Sequence, residues 1–114
     1  MAEGPKVDEV TPQEALERHE RGAVLLDVRE DDEWAAGHAP DAVHVPLAEV
    51  GAAASRFADQ EILAVCRSGA RSARAAETLA QAGVEAVNVA GGMTSWAAAG
   101  LPVVADDGAP GVVA

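Results

Sequence analysis

Cys66 is the lone cysteine of this 114-residue chain, and its neighbours suit anion chemistry. Arg67-Ser68-Gly69-Ala70-Arg71-Ser72 follow it, and a helix-forming stretch follows them. The thiolate is the reactive form of cysteine, and helix N-termini and nearby arginines lower a thiol's pKa. Backbone N–H groups at a helix start have no intrahelical partner and point outward, so they make an anion cradle. Gly69 lets the backbone curl with φ above zero. Arg67 and Arg71 bring fixed charge and forked donors suited to oxyanions. Between Ile62 and Ala76 stand three arginines, Arg67, Arg71 and Arg74, and no acid, so this window carries +3 within a chain of net charge −11. Such a patch is expected to attract an anionic reactant through Arg71, and salt should weaken that attraction. A cysteine phosphatase needs Cys-x5-Arg to wrap a tetrahedral phosphate. Six positions after Cys66 is Ser72, and the arginine falls one earlier, at Arg71. Phosphatase and arsenate-reductase chemistry are therefore disfavoured.

The rest of the composition excludes other classes. With one cysteine there is neither an internal disulfide nor a multi-cysteine metal site. His19, His38 and His44 lack ligand spacing, so neither a metal nor any other cofactor is expected. Nineteen acidic against eight basic residues disfavour nucleic-acid and membrane partners. Met1 to Pro5 has no basic segment followed by an apolar one, so no leader is visible and a cytoplasmic setting is expected. The uncharged run from Ala86 to Ala105 is broken by Asn88, Gly91, Gly92, Gly100 and Pro102, unlike a membrane span. Hydrophobic residues at 49% and charged residues at 24% describe one ordinary globular domain.

Positioning Cys66 requires strands that alternate with helices, the signature of an α/β domain with a mainly parallel sheet. Strands are expected at Val7–Val10, Ala23–Val28, Val43–Val45, Ile62–Val65 and Ala86–Val89. Thr11, Pro12 and Glu14 open a first helix as cap, first-turn proline and capping-box acid, and Gly22 ends it. Glu30–Ala36 is a short helix whose acidic run Glu30-Asp31-Asp32-Glu33 suits the macrodipole. His38 to Ala42 forms a turn, Leu47–Phe57 reads as helical, and Ser72–Ala82 is a helix closed by Gly83. Gly91-Gly92 turns the chain into a last short helix around Trp96. Trp34 and Trp96 read as core or rim anchors. Cys66 thus sits at the carboxyl end of a buried strand, where open parallel sheets bind ligands.

Three segments carry a family resemblance. Cys66-Arg67-Ser68-Gly69-Ala70-Arg71-Ser72 resembles the active-site loop of the rhodanese, or sulfurtransferase, family. Leu26-Asp27-Val28-Arg29-Glu30, with Glu33-Trp34 and Gly37-His38-Ala39-Pro40-Asp41-Ala42, resembles its N-terminal signature. Gly91-Gly92-Met93-Thr94-Ser95-Trp96, with Gly100-Leu101-Pro102-Val103, resembles its C-terminal one. The segments come in the family's order, and the match is to single-domain members. The resemblance implies a rhodanese-like domain over residues 1–104, with a central parallel sheet of about five strands and helices on both faces. Residues 105–114 are expected to form a frayed tail. The resemblance also implies that Cys66 takes up a sulfane sulfur as a persulfide, cradled by the backbone amides of Arg67, Ser68, Gly69, Ala70 and Arg71. Asp27 and Ser72 stand behind that loop as positioning residues. For Asp27 a structural ion pair with Arg29 is weighed above orienting an active-loop arginine, and for His38 a turn-stabilising role is weighed above a general base.

The implied activity is sulfur transfer from thiosulfate or a persulfide to cyanide or an external thiol, because no second cysteine can resolve the persulfide. The alternative is a persulfide carrier or sulfur-sensing module that hands sulfur to a protein partner. A non-catalytic binding domain is disfavoured by the presence of Cys66.

Overall fold

The computed structural model describes residues 7–114, in which five strands form one sheet in the order β1-β5-β4-β2-β3. These are β1 (Glu9–Val10), β2 (Val24–Asp27), β3 (Val43–His44), β4 (Glu61–Val65) and β5 (Glu85–Val89). Every neighbouring pair is parallel, with Asp27 opposite Val65 and Leu26 opposite Val43. The expected parallel sheet of five strands is therefore present. Met1 to Pro5, read above for a leader, lies outside the described residues.

Five helices accompany the strands: α1 (Pro12–Glu20), α2 (Asp31–Ala36), α3 (Val50–Ala53), α4 (Ala70–Gln81) and α5 (Gly92–Ala98). Side chains alternate across a strand, so a strand buried on both faces feeds two cores. On one face Leu25, Leu63, Val65, Val87 and Val89 pack with Ala15 of α1 and with Met93 and Trp96 of α5. On the other Leu26, Val28 and Ile62 pack with Val50 of α3, Phe57, and Ala75 and Leu79 of α4. Cys66 belongs to this second core. Trp96 is fully buried, and its indole N–H donates to the Pro102 carbonyl at 2.8 Å, as a buried indole requires.

Several local expectations change. The Thr11 hydroxyl accepts from the Glu14 N–H at 3.1 Å, but the Glu14 carboxylate turns to Arg18, so only half of a capping box forms. Leu47–Phe57 is not one helix: 3-10 turns at Leu47–Glu49 and Ala54–Phe57 flank the four-residue α3. The short helix and the tighter turns still bring Val50, Ala54 and Phe57 into the core. The segment after Val104 folds back along the domain. His38 and Val104 exchange backbone hydrogen bonds at 2.9 and 2.8 Å, Gly111 N–H reaches the Val103 carbonyl, and Val112 N–H reaches that of Ala36. A Cβ on Gly111 would lie 2.8 Å from the Gly37 Cα, so two side-chain-free residues let the backbones meet. The uncharged run from Ala86 to Ala105 holds the end of β5, α5 and their turns, and among the described residues no helix is long and apolar enough to cross a membrane.

Candidate active site

Cys66 directly follows β4, between β2 and β5. The chain leaves β2 toward β3 and leaves β4 toward β5, so the cysteine stands where connections diverge and a crevice opens. Gly69 adopts φ +115°, a left-handed conformation that glycine reaches without steric cost, and this reverses the chain into α4. The reversal starts α4 at Ala70, two residues earlier than the sequence suggests.

The curl aims donors at one sulfur. The Gly69 N–H lies 3.1 Å from Cys66 Sγ, and the Ser72 hydroxyl donates to it at 3.2 Å. Burial pushes the Cys66 thiol up. The Ser72 hydroxyl and the N–H groups of Ser72, Gly69 and Ser68 outweigh that effect and hold it below the ordinary thiol range. The cysteine is 1% exposed, so its sulfur lies at the bottom of the cradle.

A second layer holds the cradle in place. Asn88 of β5, buried at the sheet centre, accepts from Ser72 Oγ at 2.6 Å through Oδ1. Its Nδ2 donates to the Gly69 carbonyl and to the Glu9 carboxylate, each at 3.1 Å. Those two acceptors fix the amide's orientation, since a flipped amide would set oxygen against oxygen. From the other side, Met93 N–H donates to the Cys66 carbonyl at 2.7 Å and Thr94 N–H to the Arg67 carbonyl at 3.0 Å. Gly92, at φ +59°, permits this approach: a Cβ there would overlap the Cys66 carbonyl oxygen and come within 2.6 Å of Arg67 backbone atoms.

The expected site residues take distinct places. Arg67, Ser68 and Ala70 line the exposed rim, Gly69 and Ser72 touch the sulfur, and Ser72 is fully buried. Arg71 does not stand free. Both terminal nitrogens of its guanidinium donate to the Glu33 carboxylate of α2, at 2.6 and 2.9 Å. That ion pair, reinforced by the Glu30 N–H, holds the Glu33 carboxyl at about 2 although burial opposes it, and it raises Arg71 further.

Asp27 pairs with Arg29. Both its oxygens accept from Arg29, at 2.7 to 3.1 Å, and Arg29 also donates to the Gly37 carbonyl at 2.7 Å. The pair is fully buried and ties the end of β2 to the turn after α2. His38 stacks on Trp34 with centroids 3.6 Å apart, its Nδ1 lies 2.8 Å from the Trp34 carbonyl, and His44 stacks at 4.8 Å. The sequence alone does not single out Asn88, Glu33 or Gly92 as supports of the site. The one visible signal for Asn88 is an amide inside the apolar run Ala86-Val87-Asn88-Val89.

A parallel α/β sheet with a buried cysteine ringed by donors at a strand's carboxyl end defines the class of domain to which this chain belongs. The family model described as Rhodanese-like domain matches residues 11–99, and the chain belongs to that family. It is 40% identical to a protein named sulfurtransferase from Allochromatium vinosum, over 75% of this chain and 81% of that one. It is 42% identical to the HTH-type transcriptional regulator Rv0324 of Mycobacterium tuberculosis, over 94% of this chain but 48% of the regulator. The chain thus spans about half the length of that relative. The crystal structure of a rhodanese-related protein from Thermoplasma volcanium superposes with a TM-score of 0.78 at 32% identity, covering 85% of this chain and 97% of that one.

Proposed function

We propose that this domain transfers sulfane sulfur through a persulfide on Cys66. The observation that carries the reading is the set of donors converging on Sγ, from the Gly69 N–H and the Ser72 hydroxyl. In the first half-reaction the Cys66 thiolate attacks the outer sulfur of a donor. With thiosulfate, the sulfur–sulfur bond breaks, sulfite leaves with the bond's electron pair, and Cys66 becomes a persulfide anion. With an organic persulfide, the departing group is a thiolate. In the second half-reaction an external nucleophile takes the outer sulfur and returns Cys66 to thiolate; cyanide leaves as thiocyanate. This is covalent catalysis in two steps, and the chain's other residues need only stabilise anionic sulfur. Arg67, Ser68, Gly69, Ala70 and Arg71 form the rim and cradle through which donor and acceptor reach it. No proton need move once the thiol is ionised, so His38 has no step to perform. A lone thiol of this kind suits a reducing compartment such as the cytoplasm.

Loading with thiosulfate and unloading with cyanide, followed by intact mass, tests the reading. The native chain should gain one sulfur atom and lose it on cyanide addition. Cys66→Ser should gain none while keeping its native circular dichroism. Sulfur transfer by Cys66→Ser would refute the proposal. Stable loading with slow release to small acceptors would favour the second reading, a carrier that passes its sulfur to a protein.

A further inference from the structure

Loading by thiosulfate brings a dianion against a thiolate, so three negative charges share one small cradle. Loading by a persulfide brings at most one negative charge on the donor sulfur. Discriminating between these donors therefore depends on the free positive charge near Sγ. The loop suggests that Arg71 supplies it, since Arg71 stands in the first turn of α4, one residue past the Gly69 and Ala70 of the cradle. Its charge, however, is already matched. Glu33 takes one N–H from each terminal nitrogen, and the pair is part-buried, with the two side chains 32% and 17% exposed. The Glu30 N–H donates to the same Glu33 carboxylate at 3.0 Å and helps fix it there.

We infer that Glu33 sets donor specificity: by holding Arg71 in a two-bond ion pair beside the cradle, it withholds that charge from the donor and selects persulfides over dianionic thiosulfate. This rests on the sulfur-transfer reading above. An incoming dianion either breaks the Glu33–Arg71 bonds or meets a neutral pair. A persulfide donor loses nothing, because its transfer asks only for the N–H and hydroxyl donors already aimed at Sγ.

The test times single-turnover loading of Cys66 by mass, with thiosulfate and with 2-hydroxyethyl persulfide, whose substituent is uncharged. Glu33→Gln keeps the side chain's size and removes its charge. It should accelerate thiosulfate loading about tenfold, the effect of one charge-assisted hydrogen bond made available to the donor. Persulfide loading should change by less than about threefold, since little donor charge is involved. Added to Glu33→Gln, Arg71→Ala should erase the gain, because the freed guanidinium is then gone. Glu33→Asp, whose shorter carboxylate reaches Arg71 less well, should move thiosulfate loading the same way by a smaller factor, and it decides the matter if the Gln variant misfolds. Alkylation by uncharged iodoacetamide reports whether the cradle survives. A Glu33 variant that alkylates normally yet loads thiosulfate no faster overturns the inference. So does a Glu33→Gln chain that loads both donors more slowly, because Glu33 would then only hold the loop in shape. Failure of both donors to load any variant would instead remove the sulfur-transfer reading beneath it.

Discussion

The Ser72 hydroxyl has one proton and three acceptors around it: Cys66 Sγ, Asn88 Oδ1 and the Gly69 carbonyl. When Cys66 carries negative charge, sulfur is the acceptor that gains most from that proton. Ser72→Ala removes the side-chain donor that helps lower the thiol's pKa, so the pKa rises and less thiolate exists near neutral pH. Alkylation of Cys66 at pH 7 should slow by roughly tenfold, the effect of losing one hydrogen bond to a charged group. While Cys66 is a neutral thiol the Ser72 proton serves Asn88 Oδ1 at 2.6 Å instead, so below the thiol's pKa its loss should cost about 1–3 kcal/mol in a urea titration. At this scale Cys66 and its loop are legible, because holding an anion calls for a cysteine before a glycine-containing turn and two arginines, and core packing does not. Asn88 and Glu33 are not legible. An amide in a strand and an acid in a helix's first turn each have an ordinary local reading, and only the folded chain brings them to Ser72 and Arg71.

Among the elements, two contacts brace the active loop from opposite sides. The start of α5 holds it through Cys66 and Arg67, and Gly92 makes that approach possible. Gly92→Ala would combine a left-handed backbone with overlap against backbone atoms that cannot rotate away. It should cost about 2–4 kcal/mol in urea unfolding and slow sulfur loading as the loop loosens. Gly22→Ala, with nothing within 4 Å, is the control, because it carries only backbone strain. Across the loop, α2 is tied to α4 by Glu33 and Arg71. The Glu33 carboxyl titrates at about 2 in the folded chain against 4.5 ordinarily. A depressed carboxyl stabilises the fold above its unfolded pKa, and that contribution fades as pH falls toward the folded one. The gap in melting temperature between native and Glu33→Gln should therefore be full above pH 4.5 and shrink toward pH 2. The apolar strands β2, β4 and β5 are legible from their residue runs. The break-up of Leu47–Phe57 is not, because periodicity does not distinguish a helix from successive tight turns that bury the same side chains.

For the whole molecule, charge decides how a small reactant arrives. The +3 window around Cys66 suggests that salt should slow loading by an anion, yet Glu33 cancels Arg71 and the chain as a whole carries −11. Long-range repulsion then dominates the approach of thiosulfate, and screening relieves it. Its loading rate should rise a few-fold as ionic strength increases, and stopped-flow loading at several salt concentrations checks the sign. A fall with salt would mean that Arg67 and Arg74 alone steer the donor. The back-folded tail is the least legible part of the molecule, because it depends on Gly37 meeting Gly111 across 74 residues of chain, a pairing no local pattern announces. The order of the sheet has its own consequence. Its two outermost strands, β1 and β3, are only two residues long, while the long strands β4 and β5 lie inside. Such short borders display few unpaired backbone groups, so a neighbouring chain finds almost no template on which to add a strand. This domain can therefore be crowded, or joined to another polypeptide, with little tendency toward edge-to-edge aggregation.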